Sequence, residues 1–333
     1  MNEEYNFSES IQNPYKTIEK ILATLQIISA HEKSVRDHIN TTRYQSELLN
    51  NLNIWNQICS SLDTIGDTLY SIKDYIESEY PSNDGLKYIF TYGILQTLFI
   101  QQDAMKHLSE AFEIEYSASK KLLEIRALRN AAIGHPTKNN VQKVTYYNYI
   151  SRISMSKLGF TLLRSSEKER NEFIYVDLIS IMKDQTHEIE NSYNLLANKL
   201  IEVDKMYRDK YKDNLIADIF HSTVGYYFEK VSEGIHSPSY ANRDFALRML
   251  ISIEETYNKF EMGLTERNEL NDYIQYDLEE YKHAIDVLKS YLSNNNEKMQ
   301  EKDARIYCFY LYEQHKHFVE IAKEIDSAYS ENK

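Results

Sequence analysis

The sequence predicts an all-α protein, with a helical bundle, a small antiparallel β element after it, and a C-terminal helical domain. Apolar residues recur at spacings of three and four along most of the chain, which is typical of amphipathic helices. Glycine and proline are scarce, with eight and four residues. The four prolines fall where helices are expected to begin or end, so none interrupts a helix: Pro14, Pro81, Pro136 and Pro238.

A polar tail over residues 1–14 precedes a bundle that we assign to residues 15–145. The first helix is predicted from Lys16 to a break at Asn50–Asn53, where helix propensity is poor. A second helix carries an apolar seam from Ile58 to Ile76 that is suited to packing against another helix. The turn at Tyr80–Gly85 then leads into a third helix, from Leu86 to about Tyr116.

The centre of this third helix contains the polar run Gln101-Gln102-Asp103 inside an apolar pattern. Buried amides and carboxylates need partners. Two interpretations follow: the run lies on the solvent-facing side, or Gln102 or Asp103 orients the next helix through a polar seam. The solvent-facing interpretation is preferred.

The next helix is predicted from Ser117 to Ile133, where the chain reads Arg129-Asn130-Ala131-Ala132-Ile133-Gly134-His135-Pro136. We expect Gly134 to adopt the left-handed conformation that closes a helix, while Pro136 keeps His135 out of helical geometry. On an unbroken helix Arg129 and His135 would point about 120° apart. The break allows the imidazole to turn back toward the guanidinium, giving a group that exchanges protons near neutral pH beside a permanent cation.

A small antiparallel β element is predicted over residues 146–176, because short runs rich in Tyr, Phe, Ile and Leu replace the helical pattern. It carries Arg152, Lys157 and Arg164, so it could extend a basic face beside the motif.

Residues 177–333 are predicted to form a long helix and then four further helices, separated near Ser237-Pro238, Gly263–Asn268 and Asn294–Asn296. His315 and His317 do not indicate a metal site, since residues two apart on a helix diverge. The Tyr-rich runs favour packing over base stacking because their surroundings are acidic. The sequence assigns no function to this region.

Charge is unevenly distributed. The whole chain has a net charge of −13, which argues against a surface coated for nucleic acid. Residues 118–166 nevertheless contain nine Lys and Arg against the single acid Glu124, a local charge of +8. This segment could bind a polyanion, or it could face the acidic remainder of a second copy. The candidate substrate contacts are Arg126, Lys138, Lys143 and Arg152.

Several functional classes have no motif here. The sequence lacks a phosphate-binding glycine loop, a dinucleotide fingerprint and a nucleophile elbow. Two isolated cysteines indicate neither a disulfide framework nor a thiolate metal site. We therefore expect no cofactor and no metal. An acidic N-terminus and charge-broken apolar stretches predict a cytoplasmic protein without membrane contact.

Arg129, followed by the polar Asn130 and, five positions further on, by His135 at a helix end, resembles the motif of the HEPN superfamily of helical ribonucleases and nucleotide-binding proteins. The resemblance covers roughly residues 50–140. One departure is Thr137, which stands where some HEPN toxins have a tyrosine that accepts a nucleotide.

The resemblance implies a metal-independent RNA endonuclease that leaves 2′,3′-cyclic phosphate ends, and by family analogy it suggests a role in phage defence or a toxin system. Its catalytic residues would be His135 as proton-transfer group, Arg129 as charge stabiliser and Asn130 as orienting group. It also implies a homodimer formed through the motif helix. The alternative is a non-catalytic helical scaffold that binds a nucleotide or a protein partner. An enzyme needs Arg129 and His135 accessible to solvent, whereas a scaffold permits a buried His135.

Overall fold

A computed structural model describes residues 14–141, 144–167, 170–293 and 299–330. The predicted tail up to residue 13, the candidate contact Lys143 and the predicted break at Asn294–Asn296 lie outside these ranges. The chain divides into two compact units, the first comprising residues up to 38 and 51–200, the second residues 39–50 and 201 onwards. The expected boundary before residue 177 coincides with the start of a helix, Leu178–Tyr211, that contributes to both units.

The described residues form ten α-helices and a four-stranded sheet, so the mainly helical class with a small antiparallel element is confirmed. The helices of the first half are α1 (Pro14–Ile39), α2 (Thr42–Leu49), α3 (Leu52–Glu77), α4 (Asp84–Ala111) and α5 (Lys120–Arg129). The helices of the second half are α6 (Leu178–Tyr211), α7 (Thr223–His236), α8 (Tyr240–Glu266), α9 (Asp272–Leu292) and α10 (Glu301–Ser330).

Several helices begin where a polar side chain accepts a hydrogen bond from a free backbone amide of the first turn. Asn51 caps α3 by accepting from the Ile54 amide at 3.4 Å, and Asn83 caps α4 by accepting from Gly85 at 2.9 Å. The predicted break at Asn50–Asn53 is confirmed. A single helix from Lys16 to that break is wrong, because Thr41 is extended and separates α1 from α2 in a stretch of low helix propensity.

A buried polar seam joins α3, α4 and α6 in the first unit. Gln101 and Gln102 are 0% and 2% exposed, so the preferred solvent-facing interpretation was wrong for both. Gln101 donates to Thr68 Oγ1 at 2.9 Å, and Gln102 donates to Gln185 Oε1 at 2.7 Å. Gln185 in turn donates to Gln101 Oε1 at 3.0 Å and to the Leu98 carbonyl at 2.9 Å. Each of the three glutamine amides is paired in this way, although Gln102 Oε1 has no partner in the described part of the chain.

The sheet begins earlier than predicted, with strands β1 (Asn139–Val141), β2 (Val144–Ile150), β3 (Gly159–Ser165) and β4 (Glu172–Asp177). Neighbouring strands are antiparallel in the order β1-β2-β3-β4. Alternation places Phe160, Leu162 and Val176 on a buried inner face. Gly159 admits no side chain, because a Cβ there would lie 2.0 Å from the Val176 carbonyl oxygen.

In the second unit, helices α7 to α10 bury a core rich in aromatic residues, as the predicted four-helix region requires. Its centre contains Tyr257, Tyr281 and Phe318, which are 1%, 0% and 0% exposed. The two histidines of α10 diverge as expected. His315 lies inward, with Nδ1 2.8 Å from the Tyr257 hydroxyl, whereas His317 is exposed with Nε2 3.8 Å from Asp277.

Candidate functional site

Helices α4 and α5 pack together through one polar face of each. On α4, Gln96, Phe99 and Asp103 are spaced three and four apart and therefore lie on one side. On α5, Arg126 and Arg129 are three apart. The Ser119 hydroxyl fixes the start of α5 by accepting from the Leu122 amide at 3.4 Å.

The Arg129 guanidinium is held on three sides by groups without charge. Gln96 Oε1 accepts from Nε at 3.1 Å and from Nη2 at 2.6 Å, and Asn130 Oδ1 accepts from Nη1 at 3.0 Å. The guanidinium carbon lies 4.3 Å from the centre of the Phe99 ring. These contacts fix the position of the cation without neutralising it.

Arg126 has a different environment, although it also lies over Phe99, at 4.2 Å. Its Nη1 donates to Asp103 Oδ1 at 2.8 Å, which forms a partly buried ion pair. Asp103 therefore orients the motif helix, as the less preferred interpretation of the Gln-Gln-Asp run proposed. Because Arg126 is neutralised, it is a weaker candidate for substrate binding than Arg129.

After Arg129 the helix widens into a π-helical turn, Asn130–Gly134, and the His135 amide donates to the Asn130 carbonyl at 2.7 Å. Turns of this kind are frequent at functional sites. The expected left-handed Gly134 is wrong, since no glycine among the described residues has a positive φ. Gly134 is needed for space instead, because a Cβ there would lie 2.9 Å from Arg129 Nη1 and 3.2 Å from Asn130 Oδ1.

His135 follows the π turn in a non-helical conformation, with φ −137° and ψ 52°, and its side chain is exposed to solvent. No hydrogen bond or ion pair of its imidazole is found among the described residues. The structure shows no hydrogen bond between the His135 imidazole and the Arg129 guanidinium. The two groups are linked only through Gly134, which lies against the guanidinium and directly precedes His135. The His135 side chain is exposed, whereas Arg129 is partly buried.

The sheet fixes the segment that follows His135. The Asn148 amide of β2 donates to the Pro136 carbonyl at 2.8 Å, and β2 packs against the π turn. The Asn148 side chain is 5% exposed, and neither its Nδ2 nor its Oδ1 has a partner in the described part of the chain. Two unpaired buried polar atoms are costly. Nothing in the sequence pattern distinguished this asparagine.

Gln96 and Phe99 were also missed as site residues. The spacing of Gln96, Phe99 and Asp103 could have indicated one polar stripe on α4. It could not indicate that this stripe meets the two arginines, because that depends on how α4 and α5 pack.

Much of the basic segment is neutralised within the protein. Lys121 lies 2.9 Å from Asp184, Lys120 3.7 Å from Glu124 and Arg164 3.6 Å from Glu172. Lys157 instead donates to the Ser78 carbonyl at 2.6 Å, which holds its ammonium group in place without cancelling the charge. Of the predicted substrate contacts other than Arg126, Lys138 and Arg152 are exposed, and Lys143 lies outside the described residues.

Comparisons with family models, curated proteins and solved structures give no match to this chain. The resemblance to the HEPN superfamily therefore rests on the motif residues and their surroundings. In the described ranges, no helix combines the length and apolar character needed to cross a membrane. Over the same ranges, no group of three or more His, Cys, Asp or Glu side chains is placed to hold a metal ion.

Proposed function

We propose that this protein is a metal-independent RNA endonuclease of HEPN type, with Arg129, Asn130 and His135 as its catalytic residues. The observation that carries the proposal is that the Arg129 guanidinium is a fixed cation with only neutral partners. Arg129 directly precedes the π turn, which is followed by the exposed imidazole of His135. Three of its five N–H groups are used, so two can still donate to a phosphate.

The reaction uses the RNA's own 2′-hydroxyl as nucleophile. Its oxygen attacks the adjacent phosphorus, the bond from phosphorus to the 5′-oxygen breaks, and a 2′,3′-cyclic phosphate remains. His135 takes the proton from the 2′-hydroxyl as general base, or gives one to the departing 5′-oxygen as general acid. Arg129 stabilises the negative charge that builds on the phosphoryl oxygens, and Asn130 holds the guanidinium in place.

One imidazole cannot perform both proton transfers in the same turnover step. A second copy, related by a twofold axis through the motif helix, would bring a second Arg129/His135 pair to the same phosphate. We therefore propose an antiparallel homodimer. Light scattering on the purified protein tests this, and a monomer at micromolar concentration contradicts it.

The decisive experiment is cleavage of single-stranded RNA in EDTA by the wild type, His135→Ala and Arg129→Ala. We expect cyclic phosphate ends from the wild type and a loss of about a hundredfold or more in either variant. His187→Ala is the matched control, because His187 is an exposed histidine of the same unit, 63% accessible at its side chain and outside the motif. Equal cleavage by all four proteins rejects the assignment.

The alternative, a non-catalytic scaffold that binds a nucleotide or protein partner, is favoured by the internal neutralisation of Arg126, Lys121 and Arg164. In the described part of the basic segment, only Arg129, Lys138, Arg152 and Lys157 lack an acidic partner, which is few for following a long phosphate backbone. In that case folded dimeric wild type does not cleave RNA, yet Arg129→Ala still weakens the binding of a mononucleotide, measured by calorimetry.

A further inference from the structure

The sheet presents an aromatic surface on the side opposite its buried face. Strand alternation and register place the side chains of Tyr147, Tyr149, Thr161, Leu163, Phe173 and Tyr175 on this side, which we call the outer face. Phe173 is 76% exposed, Tyr175 60% and Tyr149 56%. Tyr149, Leu163 and Phe173 are direct neighbours across three strands. Tyr149 and Phe173 therefore flank the half-buried Leu163, and three exposed aromatics on one side of a sheet differ from the single exposed apolar residues of ordinary surfaces.

The outer face is also unusual in its charge. The chain as a whole has a net charge of −13, yet the side chains that form the outer face are all neutral. Further along β4, strand alternation places one acid, Asp177, on the same side of the sheet. Its carboxylate accepts a hydrogen bond from the Ser180 backbone amide at 3.0 Å. At the end of β2, the exposed Arg152 adds a positive charge.

The outer face belongs to the same sheet that fixes the segment after His135. Tyr149 directly follows Asn148, whose backbone N–H donates to the Pro136 carbonyl at 2.8 Å. A strand neighbour lies only about 5 Å away, so a ligand on this sheet is close to the edge that leads to His135.

We propose that the outer face binds single-stranded RNA by stacking bases on Tyr149, Phe173 and Tyr175. This inference rests on the proposed ribonuclease function and names the surface that holds its substrate. Aromatic side chains on a sheet stack unpaired bases without requiring a particular sequence. Stacking also supplies the affinity that the basic segment lacks, because many of its cations are paired internally.

RNA suits this face better than a second copy of the chain does. A second copy of this acidic chain would find only the cation Arg152 to pair with at this face, and the six side chains that form the outer face include no acid to repel a phosphate backbone. Unpaired bases need only flat aromatic surfaces and a nearby cation, and both are present.

The test is the affinity for a fluorescently labelled RNA whose riboses are 2′-O-methylated, so that it has no nucleophile and cannot be cleaved. We expect Phe173→Ala and Tyr175→Ala each to weaken binding about tenfold, and the double variant more. Tyr70→Ala, an equally exposed tyrosine on α3 of the same unit at 72%, should bind as the wild type does. Thermal unfolding confirms that each variant is folded.

Wild-type binding that is unchanged in both sheet variants overturns this inference and leaves the proposed nuclease intact. A wild type that cleaves unmodified RNA but does not bind the methylated strand also overturns it. If the sheet variants bind RNA normally but change from dimer to monomer in light scattering, the occupant is a second copy and the inference is wrong. If His135→Ala loses cleavage but binds the methylated RNA normally, RNA binding at the outer face is distinct from catalysis at His135, as the inference requires.

Discussion

Gln96 Oε1 accepts two hydrogen bonds from the Arg129 guanidinium, from Nε at 3.1 Å and from Nη2 at 2.6 Å. A carbonyl oxygen in this position orients a cation as a carboxylate would, but it does not cancel the charge. Three residues before Arg129 on the same helix, Arg126 has the carboxylate of Asp103 instead. Arg126 is thus neutralised by its partner on α4, whereas Arg129 is held by its partner but keeps its charge. This contrast makes the charge of Arg129 directly testable.

Gln96→Glu should lower RNA cleavage while leaving the fold intact. The new carboxylate has nearly the same shape, so it keeps Arg129 in place and forms an ion pair with it. We expect the single-turnover rate to fall roughly tenfold, because the guanidinium then stabilises the phosphoryl charge less well. The melting temperature should be equal or higher. Asp103→Asn, which removes the neutraliser of Arg126, serves as the control and should not reduce cleavage.

Gly134→Ala should reduce activity more than stability. The added Cβ would approach Arg129 Nη1 to 2.9 Å, so the guanidinium must move, whereas the backbone is not in the left-handed region. We expect a change in the free energy of unfolding within about 1 kcal/mol, measured by denaturant titration, and a clear loss of cleavage. Gly93→Ala on α4 is the control, because a Cβ there meets no atom within 4 Å. An active Gly134→Ala protein would show that Arg129 does not need its present position.

Asn148→Leu should stabilise the protein and slow cleavage. Asn148 is 5% exposed, and within the described ranges neither polar atom of its side-chain amide has a partner. An apolar side chain of similar size therefore removes a penalty of about 1–3 kcal/mol. Because β2 holds Pro136, we expect the amide to serve the site, and its loss to lower the cleavage rate severalfold. Higher stability with unchanged cleavage would show that the amide has no functional role.

Gln185→Leu should destabilise the first unit. It removes the shared partner of Gln101, Gln102 and the Leu98 carbonyl, which would leave buried polar groups unsatisfied. We expect the free energy of unfolding to fall by about 3 kcal/mol, measured by urea denaturation. Gln57→Leu should change it by less than about 1 kcal/mol, because Gln57 makes a single exposed bond to the His107 carbonyl at 2.9 Å. Similar losses in both variants would contradict the role of the seam.

His315 should make the second unit less stable in mild acid. Burial lowers the pKa of His315 from 6.5 to about 4. As the pH falls below 6.5, the unfolded chain takes up a proton that the folded chain does not, so stability decreases between about pH 6.5 and pH 4 and this contribution then levels off. Denaturation curves over this range should lose that dependence in His315→Gln and keep it in His317→Ala, whose histidine is exposed.

Much of the fold follows from the sequence alone, because local patterns determine helices and their ends. Asn51, Asn83 and Ser119 cap the helices that they precede, and the β runs after Pro136 form the sheet. The sequence also located the segment that carries Arg129, Asn130 and His135. The division of the long N-terminal helix into α1 and α2 was missed, because a short stretch of weak helix formers gave no proline or glycine to mark it.

Only the tertiary structure decided which of the motif's charges remain available. Gln96 meets Arg129, and Asp103 meets Arg126, because α4 and α5 pack with these faces together. Gly134 is required for the space beside the guanidinium rather than for its φ, which a one-dimensional pattern does not distinguish. The burial of Gln101, Gln102 and Asn148, and the exposure of Phe173 and Tyr175, likewise depend on which side of an element faces the core. Sequence fixes which side chains share a face, and packing determines what that face meets.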